Sequence, residues 1–334
     1  MTTTIRDVAR AAGVSTATVS RALNGNPHVT ERTRTRVRNA ADLLDYSPSV
    51  MAGRLASGRT GSVGFVIRRD RFGLADQSLV AACSTLESHQ VDCALVLLED
   101  DSEEHLSTAL HRLRGRVDGL IVDWIPGDSV LCDAVSRERI PTVVIGTTDA
   151  RVGCVTLDLT GAGALAADHL IGMGHRRIAV LGRDDARGSD PSGSAWNGFR
   201  RRADTRDAGC VTDYVDLGGH GPEAAERAMS TLLARPDCPT AVFALGDDIT
   251  LGAIRSLRRH HLVPGVGVSV LGLGRDSLAD DLGVSMVALP LALAGRYAAT
   301  MLLNMLNGSP AEETVLEVSL AVRESTTLTR RQDA

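Results

Sequence analysis

The stretch TIRDVARAAGVSTATVSRALNG, at residues 4–25, has the spacing of two short helices joined by a tight turn. Thr4 and Asp7 stand three residues apart, as in a capping box, and apolar residues then recur at helical intervals. Gly13 ends the first helix because glycine tolerates positive φ, and Ser15 can cap the second. The pattern favours a helix-turn-helix, whose second helix presents its N-terminal side chains to base edges. On spacing alone, an ordinary pair of packed helices is the alternative.

Two more helices are predicted after this stretch. Thr30 caps the third helix, whose buried face is predicted to contain Val37, Ala40, Ala41 and Leu44. Its arginines at 32, 34, 36 and 38 alternate, so they cannot share one face and only some can reach a phosphate backbone. Ser47 and Pro48 begin a short helix that ends near Ser57. A helix of roughly nine residues is marginal alone, so we expect it to form when DNA and a second copy of the chain hold it.

Composition limits the class of protein. The chain has 334 residues, 43% hydrophobic and 23% charged, as expected for two or three globular units. No apolar run approaches the roughly 18 residues of a membrane span, and no apolar secretory segment opens the chain, so we expect a cytoplasmic location and no membrane partner. The six cysteines are scattered without a CxxC pair, which indicates buried thiols rather than a disulfide framework or a metal site.

The net charge of −5 is unevenly distributed along the chain. Residues 1–59 contain nine arginines and four acidic residues, so this part is basic and the remainder is acidic. A basic N-terminal part suits a protein that docks one end on a polyanion. The predicted partner is double-stranded DNA.

From residue 61 onward, short apolar runs alternate with amphipathic helical segments. One set of strand-like runs begins at residues 61, 93, 117 and 141, and a second set begins at 177, 211, 240 and 268. Such alternation of strands and helices is typical of parallel, doubly wound sheets. The sequence therefore predicts two α/β lobes of about equal size after the helical N-terminal domain.

Specific motifs tie this pattern to a known family. They are DVA at 7–9, AGVS at 12–15, TVSR at 18–21, LN at 23–24, VT at 29–30, Val37, YSPS at 46–49 and RL at 54–55. With them the N-terminal 64 residues closely resemble the lac/galactose repressor family of bacterial transcription regulators, and the strand pattern extends the likeness over the whole chain.

The resemblance implies three domains and their boundaries. A helix-turn-helix domain spans 1–47, a hinge helix and linker span 48–60, and a core with the fold of periplasmic binding proteins spans 61–334. Within the core, lobe 1 comprises about 61–158 plus 290–321, and lobe 2 comprises about 159–289 plus 322–330. The chain is expected to cross between the lobes near 157–160, 287–290 and 322–324, and a helix that includes Ala294 returns to lobe 1.

The resemblance and the chemistry of the side chains together predict the DNA contacts. Thr16, Ala17 and Arg21 are assigned to bases, because arginine grips guanine and the methyl groups of threonine and alanine suit the thymine methyl. Caps and phosphate contacts are assigned to Thr4, Ser15, Thr18, Ser20, Asn24 and Tyr46. In the family, a hinge leucine from each copy of a homodimer wedges into the central base step of the minor groove. Leu55 stands at that position.

The cleft between the lobes is the expected ligand site. The resemblance implies polar side chains at four positions that are small here, namely Gly146, Ala195, Gly246 and Gly274, and it places His220 where the family has a stacking aromatic. The candidate effector-binding residues are Arg69, Phe72, Asp123, Trp124, Trp196, His220, Asp247 and Arg275. The sequence leaves two interpretations open, an effector other than a simply bound sugar, or no small-molecule effector.

Other chemistry has little support in the sequence. The glycines at 272 and 274 lack the rest of a dinucleotide-binding fingerprint, and a phosphate-loop lysine is impossible because the chain has no lysine. Asp247 and Asp248 lack an accompanying base and nucleophile, and a metal at the adjacent His260 and His261 is not favoured. We therefore predict no enzyme, no cofactor and no metal.

These patterns predict a sequence-specific DNA-binding regulator, a repressor that binds a palindromic operator as a homodimer and responds to an effector in the cleft. The alternatives are a cytosolic solute-binding or sensor protein with the same two-lobed body, and a regulator without an effector. A nucleotide- or sugar-modifying α/β enzyme would require motifs that we do not find.

Overall fold

The computed structural model describes residues 3–23, 26, 28–46, 59–69, 76–99, 102–123, 135, 137, 139–146, 152–183, 191–206, 209–219 and 221–329. The chain divides into two compact units, one of residues 1–61 with 115–118, and the other of the remaining residues. The hinge helix predicted at 48–57 lies outside the described residues.

The described residues of the first unit form three helices: α1 (Ile5–Ala12), α2 (Thr16–Leu23) and α3 (Glu31–Leu43). Their small apolar side chains form one core, whose buried members are Val8, Ala9, Ala12, Val19, Ala22, Val37, Ala40 and Ala41. Leu23 and Leu44, predicted on the same faces, are half-buried at its edge. So many alanines let the helix backbones approach closely, which suits a compact unit of this size.

The turn between α1 and α2 follows from Gly13. Its φ of +61° lies in the left-handed region that glycine adopts without steric cost. The backbone N–H of the next residue, Val14, then donates to the carbonyl of Ala9 at 3.1 Å, which closes α1 in a Schellman-type arrangement. The predicted helix-turn-helix is therefore the local structure.

The described residues of the second unit form two six-stranded sheets with helices on both faces. The strands and helices of its first half are β1 (Ser62–Arg68), α4 (Asp76–Ser88), β2 (Asp92–Leu98), α5 (Glu103–Leu113), β3 (Gly119–Asp123), β4 (Thr142–Ile145) and β5 (Gly153–Leu157). Those that follow are α6 (Leu159–Gly172), β6 (Arg177–Gly182), α7 (Pro191–Arg206), β7 (Val211–Asp216), α8 (Pro222–Leu233), β8 (Ala241–Ala244), α9 (Asp247–Arg259), β9 (Ser269–Gly274), α10 (Asp276–Leu282), β10 (Ser285–Ala288), α11 (Leu291–Leu306), β11 (Glu313–Leu316) and β12 (Ser319–Ala321).

The first sheet has the strand order β11-β5-β4-β3-β1-β2, and all its pairings are parallel. One face packs against α4 and α11 through a core that includes Phe65, Leu86 and Leu302. Gly64 points to the other face, where the side chain of Leu113 on α5 covers it. Helices therefore cover both faces, as a parallel sheet requires.

The second sheet has the order β12-β10-β9-β8-β6-β7. Its core with α6 and α7 includes Phe199 and Phe243, and its opposite core with α8 and α9 includes Ile254 and Leu257. The edge strand β12 runs antiparallel to β10, whereas the other pairings are parallel. The predicted fold class, a helical domain followed by two doubly wound lobes, is confirmed, with one antiparallel edge strand added.

The lobe boundaries differ in one place from the prediction. The strand β11 still belongs to the first sheet, but β12 already pairs in the second. Residues 319–321, assigned to lobe 1 from the sequence, are therefore part of the second lobe, and the third crossing lies between Leu316 and Ser319 instead of near 322–324. The apolar residues around β12, at 318 and 320–322, do not show which of the two sheets the strand joins.

None of the helices in the described part of the chain has the length and apolar character needed to span a bilayer.

Candidate nucleic-acid interface and interlobe cleft

The outward face of α2 carries the residues predicted to contact bases. Thr16, Ala17 and Arg21 are exposed, while Val19 and Ala22 are buried in the core of the first unit. Positions 17 and 21 are four residues apart and so are neighbours on the helix surface. The face therefore offers small methyl-bearing side chains beside a guanidinium, groups that suit thymine and guanine edges.

Ser15 determines where this helix begins. Its Oγ accepts a hydrogen bond from the backbone N–H of Thr18 at 3.1 Å, and it lies 2.9 Å from the hydroxyl of Thr18. This is the N-cap interaction that satisfies one of the free N–H groups of a helix start. Both hydroxyls are therefore engaged in setting the first turn, which orients Thr16 and Ala17.

Thr4 plays the same part for α1. Its hydroxyl donates to the carboxylate of Asp7 at 2.7 Å, and its backbone N–H donates to the same carboxylate at 3.0 Å. These hydrogen bonds lower the pKa of Asp7. Thr4 is exposed, so a phosphate contact by its hydroxyl would have to be shared with this cap.

The arginines of α3 divide as their alternation predicts. Arg34 is partly buried and donates to the carbonyls of Asn26, at 3.0 Å, and Val29, at 3.5 Å, so it braces the loop before α3. The exposed arginines of the helix are Arg32, Arg36 and Arg38. Tyr46 is half-buried against the three-helix core, which restricts any contact it makes with DNA to its outer edge.

In the second unit, the central feature of the cleft is an ion pair between Asp247 and Arg275. Asp247 begins α9 at the carboxyl end of β8, and Arg275 follows β9. The guanidinium Nε donates to Oδ2 of Asp247 at 2.6 Å, and the backbone N–H of Arg275 donates to Oδ1 at 3.0 Å. The side chain of Asp247 is only 5% exposed, and burial raises the pKa of this carboxyl while the two bonds from Arg275 oppose the rise.

This ion pair explains the glycine at position 274. A Cβ atom there would lie 2.0 Å from Oδ1 of Asp247. Gly274 is therefore required for the close approach of Asp247 to the backbone of Arg275. Gly146 lies directly after β4 and has a φ of +106°.

Arg275 also reaches the opposite lobe. Its Nη1 donates to Oδ2 of Asp76, the first residue of α4, at 2.8 Å. Beside it, Nε2 of Gln77 donates to the hydroxyl of Ser277 at 3.2 Å. Asp76 and Gln77 form no sequence motif with their partners, which lie about 200 positions away, so the sequence does not identify them as site residues.

Two other predicted cleft residues have partners within lobe 1. Asp123, at the end of β3, is buried and accepts a hydrogen bond from the hydroxyl of Ser78. Arg69 makes a two-pronged ion pair with Glu99, at 2.9 Å and 2.6 Å, in which both side chains are more than half exposed. Arg69 is thus available to solvent, whereas Asp123 is not.

Trp196 lies in an aromatic cluster of lobe 2. Its ring stacks on Phe199 with centroids 6.4 Å apart and tilts against Tyr214 at 5.3 Å. The neighbouring Ala195 is fully buried where α7 crosses α6, so this position faces the helix interface rather than the cleft. Across the described ranges, no His, Cys, Asp and Glu side chains are grouped in threes or more as a metal site would need.

Comparison with known proteins places this arrangement in a family. Residues 4–49 match the model of the bacterial regulatory proteins of the lacI family, and residues 167–326 match the periplasmic binding protein-like domain. The HTH-type transcriptional repressor PurR of Klebsiella pneumoniae is 30% identical over 327 residues, 94% of each chain. The chain belongs to the lacI family. It is a DNA-binding transcriptional regulator.

Other lacI-family proteins match most or nearly all of the chain. The PurR repressor of Actinobacillus pleuropneumoniae serotype 3 is 30% identical over 80% of both chains. The lac repressor dimer bound to operator and the anti-inducer ONPF superposes with a TM-score of 0.82 at 26% identity, covering 98% of this chain and all of that one. The helix-turn-helix and the two lobes thus have the architecture of that repressor.

For this lacI-family chain, the structure brings together part of the predicted site. Thr16, Ala17 and Arg21 share one exposed face, and Asp247 and Arg275 meet in the cleft. Five predicted site residues lie outside the described residues, namely Asn24, Leu55, Phe72, Trp124 and His220. Their roles remain predictions.

Proposed function

We propose that this chain is a repressor that binds a palindromic operator as a homodimer, with the exposed face of α2 in the major groove. The observation that carries the proposal is the exposure of Thr16, Ala17 and Arg21 on a helix whose start is fixed by Ser15. An arginine held on a rigid, capped helix can donate two parallel hydrogen bonds to a guanine.

Assembly and DNA contacts follow from the same proposal. Two copies would place their α2 helices one turn of the DNA double helix apart, which matches the spacing of the two halves of a palindrome. The related lac repressor has been solved as a dimer bound to operator, which supports this arrangement. In the domain organisation that we propose, residues 1–47 read the half-site, 48–60 form the hinge with Leu55 in the minor groove, and 61–334 form the two-lobed core.

The cleft is proposed to sense an effector that is not held in the manner of a simple sugar. Related proteins are described with cellobiose or ribose bound, which supports a ligand-binding role for this architecture. Here, however, the position of one predicted polar anchor is Gly274, and Asp247 and Arg275 bond to each other. A site built for hydroxyl groups depends on polar partners that are free to bind them.

A regulatory role is preferred over a catalytic one because the relatives are transcriptional repressors. The same relatives support a cytoplasmic location, where the DNA is. A two-lobed sensor without a DNA target is the remaining alternative, and the basic, exposed face of the first unit weighs against it.

The experiment that tests the proposal is capture of genomic fragments by the purified full-length protein at physiological salt, followed by sequencing. We expect the retained fragments to share a palindrome. Fragments without a common motif would mean that binding is only electrostatic, and the proposal would fail.

Arg21→Ala tests the assignment of base contacts in the same assay. The variant should lose selectivity at one base pair in each half-site and bind the parent palindrome about 6- to 150-fold more weakly, the range for loss of a bidentate contact worth about 1–3 kcal/mol. The matched control is Arg38→Ala, which removes an exposed arginine from α3 and should leave the base preference intact. An unchanged consensus in Arg21→Ala would refute this role.

A further inference from the structure

Two side-chain contacts between described residues, Arg275 with Asp76 and Gln77 with Ser277, join the lobes across the cleft. In the first, Nη1 of Arg275 from lobe 2 donates to Asp76 of lobe 1 at 2.8 Å. In the second, Gln77 of lobe 1 donates to Ser277 of lobe 2 at 3.2 Å. Both contacts connect the first turn of α4 with the first turn of α10 and the residue before it, so they form one patch.

The two carboxylates that hold Arg275 differ in exposure. The side chain of Asp247 is 5% exposed and belongs to the same lobe as Arg275, whereas that of Asp76 is 49% exposed and comes from the opposite lobe. The bonds to Asp247 therefore fix the guanidinium in place, and the bond to Asp76 is the one that solvent can reach. Lobe 2 thus presents an arginine already oriented toward lobe 1.

We infer that Asp76 and Arg275, with Gln77 and Ser277 beside them, form an internal latch that holds the two lobes together in the ligand-free protein. The chain's own carboxylate occupies the arginine in the cleft, where an effector would otherwise have to supply the group that bridges the lobes. Gly274 is part of this device, because any side chain there would collide with Asp247 and displace Arg275.

The latch gives the proposed regulation a definite mechanism, and in this respect it rests on the proposed function. A lobe arrangement that is stable without ligand would leave the protein competent to bind DNA on its own. A ligand that enters between the lobes would act by breaking the Asp76–Arg275 contact, which shifts the population toward separated lobes.

Asp76→Asn is the variant that breaks the latch while keeping the local hydrogen bond at the start of α4. The amide keeps an oxygen that can accept the hydrogen bond that Asp76 Oδ1 receives from the backbone N–H of Gln77, 2.7 Å away, but loses the charge that holds Arg275. Replacing Arg275 itself is less informative, since the buried Asp247 would be left without its cation and lobe 2 could unfold locally.

The measurement is hydrogen–deuterium exchange of the full-length protein, followed at residues 275–282 in lobe 2. These residues are remote in sequence from position 76, so local weakening of α4 does not reach them directly. In Asp76→Asn we expect their exchange to be about two- to fivefold faster, the range set by loss of a partly exposed ion pair. Gln77→Ala, which removes the second contact, should act in the same direction.

The matched control is Glu99→Gln, which removes the carboxylate of an exposed ion pair with Arg69 inside lobe 1 and should leave residues 275–282 unchanged. Exchange in Asp76→Asn that equals that of the parent or of the control overturns the latch. This readout involves no DNA, so a failure to find an operator would overturn the proposed function and leave the test of the latch intact.

Discussion

Gly163 and Gly198 show how single residues decide the packing of lobe 2. They lie on α6 and α7, which cross so closely that a Cβ at 163 would be 1.9 Å from the carbonyl oxygen of Ala195, and a Cβ at 198 would be 2.0 Å from that of Thr160. Rigid backbone atoms cannot yield as a flexible side chain can, so these two positions exclude every other residue.

Gly163→Ala should therefore destabilise the protein by about 1–3 kcal/mol, the cost of overpacking a tight interior. Gly193→Ala is the matched control, because Gly193 also lies in α7 but a Cβ there would meet nothing within 4 Å. The control should be neutral or more stable by up to about 1 kcal/mol, since alanine favours helix. Denaturant unfolding measures both. Equal stability of the two variants would mean that α6 and α7 can separate without cost.

At the scale of elements, two histidines bind the segment after β12 to lobe 2. His175 is buried, and its Nε2 lies 3.1 Å from the carbonyl oxygen of Thr327 while its Nδ1 lies 2.7 Å from the hydroxyl of Thr329. A carbonyl can only accept, so Nε2 carries the proton and Nδ1 accepts from the hydroxyl. Nε2 of His169 lies 2.9 Å from the hydroxyl of Thr326, in the same segment.

Stability should depend on pH through these two histidines. Burial lowers the pKa of His169 and of His175 below the ordinary 6.5. At a pH between the lowered pKa of the folded state and the pKa of the unfolded state, the folded protein therefore binds fewer protons than the unfolded chain. The free energy of unfolding should therefore be at its full value above pH 6.5 and fall as the pH drops below it, by at most about 1.4 kcal/mol per pH unit for each histidine.

Denaturant unfolding between pH 5 and pH 7.5 measures this dependence. His175→Gln should be less stable than the parent at pH 7.5 and should show a shallower slope below pH 6.5. His111→Gln, at an exposed position on α5, is the control and should keep the parent slope. Parallel curves for the parent and His175→Gln would exclude His175 as the source of the dependence.

At the scale of the whole molecule, the proposed repressor is a dimer in which each copy binds one half-site and the hinge helices contact the DNA between the half-sites. Leu55→Ala should weaken binding to the full palindrome by about tenfold or more, or about 1.4 kcal/mol, because the apolar wedge that offsets unstacking is removed. The base preference should stay the same, since α2 is untouched. Titration of a labelled operator gives the affinity.

The control for this prediction is Leu43→Ala, which truncates a leucine that is 85% exposed at the end of α3. It should bind the palindrome like the parent. If Leu55→Ala also binds like the parent, the leucine at 55 is a linker residue and not a wedge.

Local interactions determine what the sequence alone predicts well. The caps at Thr4, Ser15 and Thr30 and the turn at Gly13 involve partners within a few residues, so their spacing was sufficient to place α1, α2 and α3. The alternation of apolar runs and helical segments likewise determined the two parallel-sheet lobes. The caps depend on hydrogen bonds between neighbouring residues, and the alternation depends on periodicity along the chain, so the sequence shows both directly.

Contacts between distant residues were decided only by the tertiary structure. The short strand β12 pairs at the edge of the second sheet because β10 offers it backbone hydrogen-bond partners. Residues 319–321 do not by themselves indicate which strand they pair with. The link from Asp76 to Arg275 depends on two lobes bringing helix starts together, and the glycine at 274 has its reason in the approach of Asp247. Periodicity records which side chains are buried, but not which of them meet across a fold, because that depends on how whole elements pack.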